Sequence, residues 1–328
     1  MTRLRPAGRR YRRDKMMRSA DSLAPTSPDL PFLAVSGSSN GEVRDYIALL
    51  KPRVMSLVVF TALVGMAVAH APASPVIAFA SLVMIAVGAG AAGCLNMWWD
   101  ADIDALMTRT RKRPIPDGRI RPEEALSFGM TLAVGSVLAL GLIANWLAAA
   151  FLAFTIFFYV VVYSIGLKRW TAQNIVIGGA AGAFPPMIGE AAVSGTVSLQ
   201  TFILFAIIFL WTPPHFWALA LYRAEDYRRA GLPMLPVTHG SEFTRLHVFL
   251  YTLVLFAATL LPFVAGMSGP IYLAAAIVLG VMFSGYGWRL WRGYSDALAR
   301  KTFRFSIVHL TLLFAALLVD HYLWPLFA

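Results

Sequence analysis

Residues 81–104 read SLVMIAVGAGAAGCLNMWWDADID, an uncharged apolar stretch that runs straight into an asparagine and three aspartates. A carboxylate inside a membrane is costly and marks function by default. The reading of this stretch therefore turns on whether the apolar part spans a bilayer and whether the acids stand at its end.

Composition answers the first question. The chain has 58% hydrophobic and only 14% charged residues with a mean hydropathy of +0.66, against roughly 25% charged in a soluble domain. Apolar stretches long enough for a ~30 Å hydrocarbon core run over roughly 54–73, 76–96, 124–144, 147–166, 174–193, 199–221, 246–266, 271–291 and 305–326. They are continuous rather than alternating, which excludes a barrel. The expected fold is all-α, a polytopic membrane protein of about nine transmembrane helices surrounding a central cavity. Short connections around Asn145 and Ser268 make the flanking spans antiparallel hairpins.

Lys and Arg set the orientation. All 28 lie in the N-terminal segment up to and including Arg53 or in 109–121, 168–169, 223–245 and 289–304, and the connections near 70–75, 145, 194–198 and 266–270 carry none. The N-terminus is expected in the cytoplasm and the C-terminus across the membrane, in a bacterial inner membrane, with the mitochondrial inner membrane as the alternative. The net charge of +11 follows from this one-sided loading and needs no nucleic-acid partner. Residues 1–45 read as a basic, disordered cytoplasmic tail ahead of a membrane domain over 46–328. The single cysteine, Cys94, lies in an apolar run, so neither a disulfide nor a thiolate metal site is available.

The second question is geometric. At ~100° per residue, Asn96, Asp100 and Asp104 line one helical face while Asp102 points nearly opposite. Oxygen ligands at this spacing suit Mg²⁺, an ion that is commonly completed by substrate phosphates, and the basic run beginning at Arg109 follows at once. If the segment is only an interfacial helix end, the same acids pair with those arginines. A second acid-and-base cluster, YRAEDYRRAG at 222–231, ends the sixth span. The recurrence suggests two halves of an internal repeat facing one site. LKRWTAQN at 167–174 and KPRV at 51–54 add cations on the same side, either as phosphate binders or as ordinary interfacial anchors.

Taken in order, KPRV, NMWWDADID, TRTRKRPIP at 108–116, LKRWTAQN, WTPPHFWALA at 211–220 and YRAEDYRRAGLPMLP at 222–236 resemble the UbiA superfamily of intramembrane prenyltransferases, and within it the branch that prenylates haem. The resemblance covers roughly 50–325. It implies transfer of a farnesyl group from farnesyl diphosphate to a vinyl of haem B. One or two Mg²⁺ ions are expected at Asn96, Asp100, Asp104 and Asp226, with Lys51, Arg53, Arg109, Arg113, Lys168, Arg169 and Tyr222 on the diphosphate. Tyr222 stands where other members of the superfamily carry the first Asp of a second DxxxD. Expected partners are the lipid bilayer, the two substrates, and a downstream haem A synthase or oxidase assembly factors.

In WTPPHFW, Pro213 and Pro214 are expected to interrupt the sixth span and leave His215 among aromatic rings as the haem-binding residue. His309, in the last span, is the lesser candidate. Glu190 falls where the family leads one to expect an apolar residue, and the sequence suggests no role for it. Other readings are a prenyltransferase for a quinone precursor or chlorophyllide, a transporter, or a non-catalytic oxidase assembly factor. A transporter would carry its acids near the bilayer midplane.

Overall fold

The computed structural model describes residues 40–69 and 74–324. The basic tail expected over 1–45 lies outside the described residues as far as position 39, as do the last residues expected in the first and ninth spans. The described chain is helical with no strand. Its elements are α1 (Val43–Leu49), α2 (Pro52–Ala67), α3 (Pro75–Trp99), α4 (Ala101–Leu106), α5 (Pro122–Ile143), α6 (Trp146–Phe157) continuing as a π-helix (Phe158–Leu167), α7 (Asn174–Ala183), α8 (Pro185–Ser194), α9 (Leu199–Leu221), α10 (Ala224–Arg229), α11 (Leu235–Thr238), α12 (Gly240–Thr259), α13 (Leu261–Val264), α14 (Pro270–Arg292) and α15 (Asp296–Leu323). Eight of the described segments are long and apolar enough to cross a membrane, and α1 with α2, bent by 52°, makes the ninth.

Two apolar cores organise these spans. Ala62, Met66, Ile85, Leu95, Leu140, Leu152 and Ile188 join α2, α3, α5, α6 and α8. Leu204, Ile207, Trp211, Leu255, Phe283, Leu310 and Phe314 join α9, α12, α14 and α15. Contacts of α2 with α15 connect the two groups. Lipid is as apolar as leucine, so close backbone approach rather than apolar burial must hold such helices together. The crossing of α2 and α8 is an instance: a Cβ on Gly65 would lie 2.1 Å from the Pro186 carbonyl oxygen, and one on Gly189 would lie 2.2 Å from that of Ala62.

Three expectations of local structure change. The prolines of the sixth span do not break it, because α9 runs unbroken through Pro213 and Pro214. Each lacks only its own amide hydrogen, and the helix carries on around the freed carbonyls. The break falls instead in the fifth span, where Pro185 and Pro186 start α8 after Phe184. The fourth span, expected to be an ordinary helix, winds as a π-helix over its last ten residues. Finally, the helix carrying the acids is interrupted at Asp100. The i→i−4 pattern survives, with the Asp100 amide on Asn96 O at 3.0 Å and the Asp104 amide on Asp100 O at 2.8 Å.

Glu190 acquires a structural role. Its buried carboxylate accepts hydrogen bonds from the Ser198 amide at 2.8 Å and from the Thr201 hydroxyl. These groups open α9, so a negative charge sits at the positive end of a helix. Asn145 performs a similar service for α6, accepting from the Ala148 amide while its own Nδ2 donates to Ala191 O at 2.7 Å.

Candidate active site

Asn96, Asp100, Asp104 and Asp226 are all buried, at 5% exposure or less. Carboxylates are almost never so deeply buried without a partner. Here each has one. Lys168 Nζ donates to Asp100 Oδ2 at 2.5 Å and Arg113 Nη1 to Asp104 Oδ2 at 2.5 Å. Asp226 is held by Arg229 at 3.1 Å and Arg223 at 3.5 Å. Asn96 donates from Nδ2 to Asp100 Oδ2 at 2.6 Å and accepts on Oδ1 from Lys51 Nζ at 2.7 Å.

Lys51 reaches the site from a strained backbone. With φ 52° it is the one non-glycine of positive φ among the described residues, and it stands at the bend between α1 and α2. Such a conformation costs on the order of 1–3 kcal/mol and persists where the surroundings hold it. Pro52 fixes the following turn, and the Asn96 hydrogen bond holds the side chain.

The π-helix provides the opposite wall. Under α winding, Lys168 would stand about 180° from Tyr159 at ~100° per residue. The wider i→i−5 turn brings Tyr159, Ser164 and Lys168 round to one face. Ser164 accepts from Asn96 at 2.9 Å, Lys168 meets Asp100, and the Tyr159 ring lies 5.9 Å from Lys51 Nζ. The Tyr159 and Tyr163 rings stack at 5.5 Å.

The two acidic loops meet through Thr108, whose hydroxyl donates to Asp226 Oδ1 at 3.0 Å. This contact joins the segment after α4 to α10, more than a hundred residues later in the chain.

Of the remaining expected diphosphate binders, Arg169 is committed elsewhere. It donates through Nη2 and Nη1 to Asp102 at 2.7 and 2.8 Å and through Nη2 to Trp99 O at 3.2 Å. Partial burial works to raise the Asp102 carboxyl pKa, but the Arg169 hydrogen bonds outweigh it and hold the group below the usual carboxylate range. Arg53 and Arg109 are exposed and form no ion pair among the described residues. Burial pushes the phenols of Tyr222 and Tyr227 up, while the charge of Arg109 pulls the other way on both. Tyr222 lies under the Arg300 guanidinium, 4.7 Å from the ring centre.

No three carboxylate, imidazole or thiolate side chains among the described residues stand close enough to hold a metal ion unaided. Asp100 Oδ1 is nevertheless buried without any hydrogen-bond partner, on a carboxylate whose other oxygen takes Lys168 and the Asn96 amide nitrogen. An orphaned, buried carboxylate oxygen fits Mg²⁺, which takes one or two carboxylates and leaves the rest of its sphere to water and phosphate.

His215 is buried and sandwiched by Trp211 at 4.1 Å and Phe303 at 4.6 Å. The Ser306 hydroxyl donates to Phe303 O at 2.7 Å, so the 2.6 Å contact between His215 Nδ1 and Ser306 Oγ must have the imidazole as donor. The lone pair is then on Nε2. His309 is buried against Phe283 with no partner on either nitrogen.

Ser164 and Thr108 escaped the sequence reading. Each is a single hydroxyl in an ordinary setting, and the π winding that turns Ser164 inward has no residue signature.

The model of the UbiA prenyltransferase family matches residues 58–318. A protoheme IX farnesyltransferase of Methylorubrum extorquens is 59% identical over 298 residues, covering 90% of this chain and 94% of that one. One from Paracoccus denitrificans is 54% identical over 296 residues, covering 88% and 97%. Among solved structures, a digeranylgeranylglyceryl phosphate synthase superposes with a TM-score of 0.71 at 17% identity, covering 85% of this chain and 98% of that chain. A UbiA homologue from Archaeoglobus fulgidus bound to GPP and Mg²⁺ gives 0.58 at 16%, covering 83% and 99%. At these identities the two structures speak for the fold alone.

Proposed function

The chain belongs to the UbiA prenyltransferase family, and from this we propose that it transfers the farnesyl group of farnesyl diphosphate to a vinyl group of haem B, giving haem O and diphosphate. The observation that carries the proposal is the meeting of two buried acidic loops, Asn96–Asp100–Asp104 and Asp226, through the Thr108 hydrogen bond. The names of the relatives at 54–60% identity support haem as acceptor.

Lys51, Arg113 and Lys168, bound to Asn96, Asp104 and Asp100, bring their charges to one polar cluster and can turn from these partners to phosphate oxygen. Arg53 and Arg109 are free to add theirs. Magnesium held at Asn96, Asp100 and Asp104, with a second ion at Asp226, would neutralise charge on the departing diphosphate. The allylic C–O bond breaks with its electron pair leaving on diphosphate. The haem vinyl supplies electrons to farnesyl C1, and the cation left beside the porphyrin takes a water oxygen and releases a proton. No side-chain nucleophile is required. His215, its ring fixed by Ser306, offers Nε2 to the haem iron and so orients the acceptor.

We place the acidic loops on the cytoplasmic side of a bacterial inner membrane, because the basic connections share that side. Haem O is then a substrate for a haem-oxidising enzyme or cargo for oxidase assembly, which makes such proteins candidate partners. The reading is tested by acceptor choice. Membranes containing the protein, given labelled farnesyl diphosphate and Mg²⁺ with haem B or with a hydroxybenzoate, should label the porphyrin fraction. Label in the benzoate instead contradicts the proposal.

A further inference from the structure

An asparagine amide has two ends of nearly equal shape and opposite chemistry, and only the oxygen end can ligate a cation. Something must therefore decide which end of Asn96 faces the site. Three groups touch the amide: Lys51 on Oδ1, and Asp100 and Ser164 on Nδ2. Lys51 and Asp100 are themselves candidates to engage the substrate or the metal, so neither can be relied on to hold the amide once the site is loaded. Ser164 is fully buried on the π-helix.

The serine is also restricted to one role. Its hydroxyl hydrogen is committed to Tyr159 O at 2.8 Å, the carbonyl five residues back that π winding brings under it. Toward Asn96 it presents lone pairs only. A flipped amide would set the Asn96 oxygen against the serine oxygen and leave two acceptors facing each other without a hydrogen.

We propose that Ser164 is a positioning residue for Asn96: by accepting from Nδ2 it keeps the amide oxygen on the Lys51 side, where it can take a cation once Lys51 turns to the substrate, and the π-helix exists in part to make that serine an obligate acceptor. The inference rests on the reading of Asn96 as a metal ligand, and its test separates the two.

Purified full-length protein in detergent is titrated with Mn²⁺ in the presence of inorganic diphosphate, and free Mn²⁺ is followed by its electron paramagnetic resonance signal. Ser164→Ala should weaken Mn²⁺ binding roughly 10–100-fold, the usual effect of losing a group that orients a ligand. The decisive arm is a double-mutant cycle. Asn96→Asp places oxygen at both ends of the side chain, so orientation ceases to matter, and adding Ser164→Ala to it should change affinity by less than about threefold. An equal loss in both backgrounds would mean that Ser164 only supports the local fold, and would overturn the proposal. Wild-type affinity in Ser164→Ala beside a loss in Asn96→Ala would overturn it while leaving Asn96 a ligand. Unchanged affinity in Asn96→Ala would remove the ligand reading, and the proposal with it. Should Ser164→Ala fail to fold, Ser164→Cys, a weak acceptor, takes its place in the cycle with the same expected pattern.

Discussion

Asp100 and Asp102 stand two residues apart and differ in everything that decides a role. Asp100 is buried with one oxygen on Lys168 and the other orphaned, whereas Asp102 is half exposed and paired with Arg169. Asp100→Asn and Asp104→Asn should each lower farnesyl transfer by about 10²–10³, the usual consequence of losing one preorganised charge-stabilising group. Asp102→Asn should cost only a few-fold, which steady-state rates across a Mg²⁺ titration would measure. Its pH behaviour follows from its lowered carboxyl. A carboxyl lowered by folding contributes stability above its unfolded value, ~3.9, and loses it as pH falls through the lower folded value. Wild type and Asp102→Asn should therefore differ slightly in detergent melting temperature at pH 7, the pair being solvent-screened, and the difference should shrink as pH falls below ~3.9. A difference that grew toward acid pH would contradict the assignment. His215→Ala should abolish transfer to haem while leaving diphosphate-dependent Mn²⁺ binding intact, and equal turnover would remove His215 from the site. The face shared by Asn96, Asp100 and Asp104 was legible because spacing alone defines it. The pairing of Arg169 with Asp102 was not legible, because a basic residue beside a phosphate site and one beside a surface acid look alike in one dimension.

At the scale of elements, hydropathy located the spans, since length and lack of charge decide insertion. It could not locate the irregularities. Two proline pairs occur in similar apolar settings, and only Pro185–Pro186 breaks its span. Pro186 packs its backbone against Gly65 of α2. The close crossing yields a test. Gly65→Ala drives a Cβ into the Pro186 backbone, which cannot rotate away as a side chain can, and should cost ~1–3 kcal/mol or more. Gly182→Ala meets nothing within 4 Å and serves as the control. Thermal unfolding in detergent should show a clear drop for the first and little change for the second. Equal melting curves would mean that α2 and α8 do not cross so closely. Glu190 shows the same limit of sequence reading: an acid without motif neighbours becomes intelligible once Ser198 and Thr201 fold back onto it.

For the molecule as a whole, the one-sided distribution of Lys and Arg predicts that reporters fused at 115, 230 and 297 are cytoplasmic and those at 196 and 268 are not. A cytoplasmic signal at 196 would contradict the span order. The same asymmetry gathers the acidic loops at one end of the bundle, where Thr108 and Asp226 meet. Identity of the acceptor lies beyond such arguments, because charge and hydropathy describe the diphosphate end and the membrane, while haem is marked only by one buried histidine among rings. The most direct measurement is therefore the product itself. Purified protein incubated with haem B, farnesyl diphosphate and Mg²⁺ should yield, by mass spectrometry, a porphyrin heavier by one farnesyl group and one hydroxyl, with an equal amount of diphosphate released, and Asp100→Asn should yield almost none. Haem B recovered at its original mass, from folded protein that still binds diphosphate and Mn²⁺, would contradict the account.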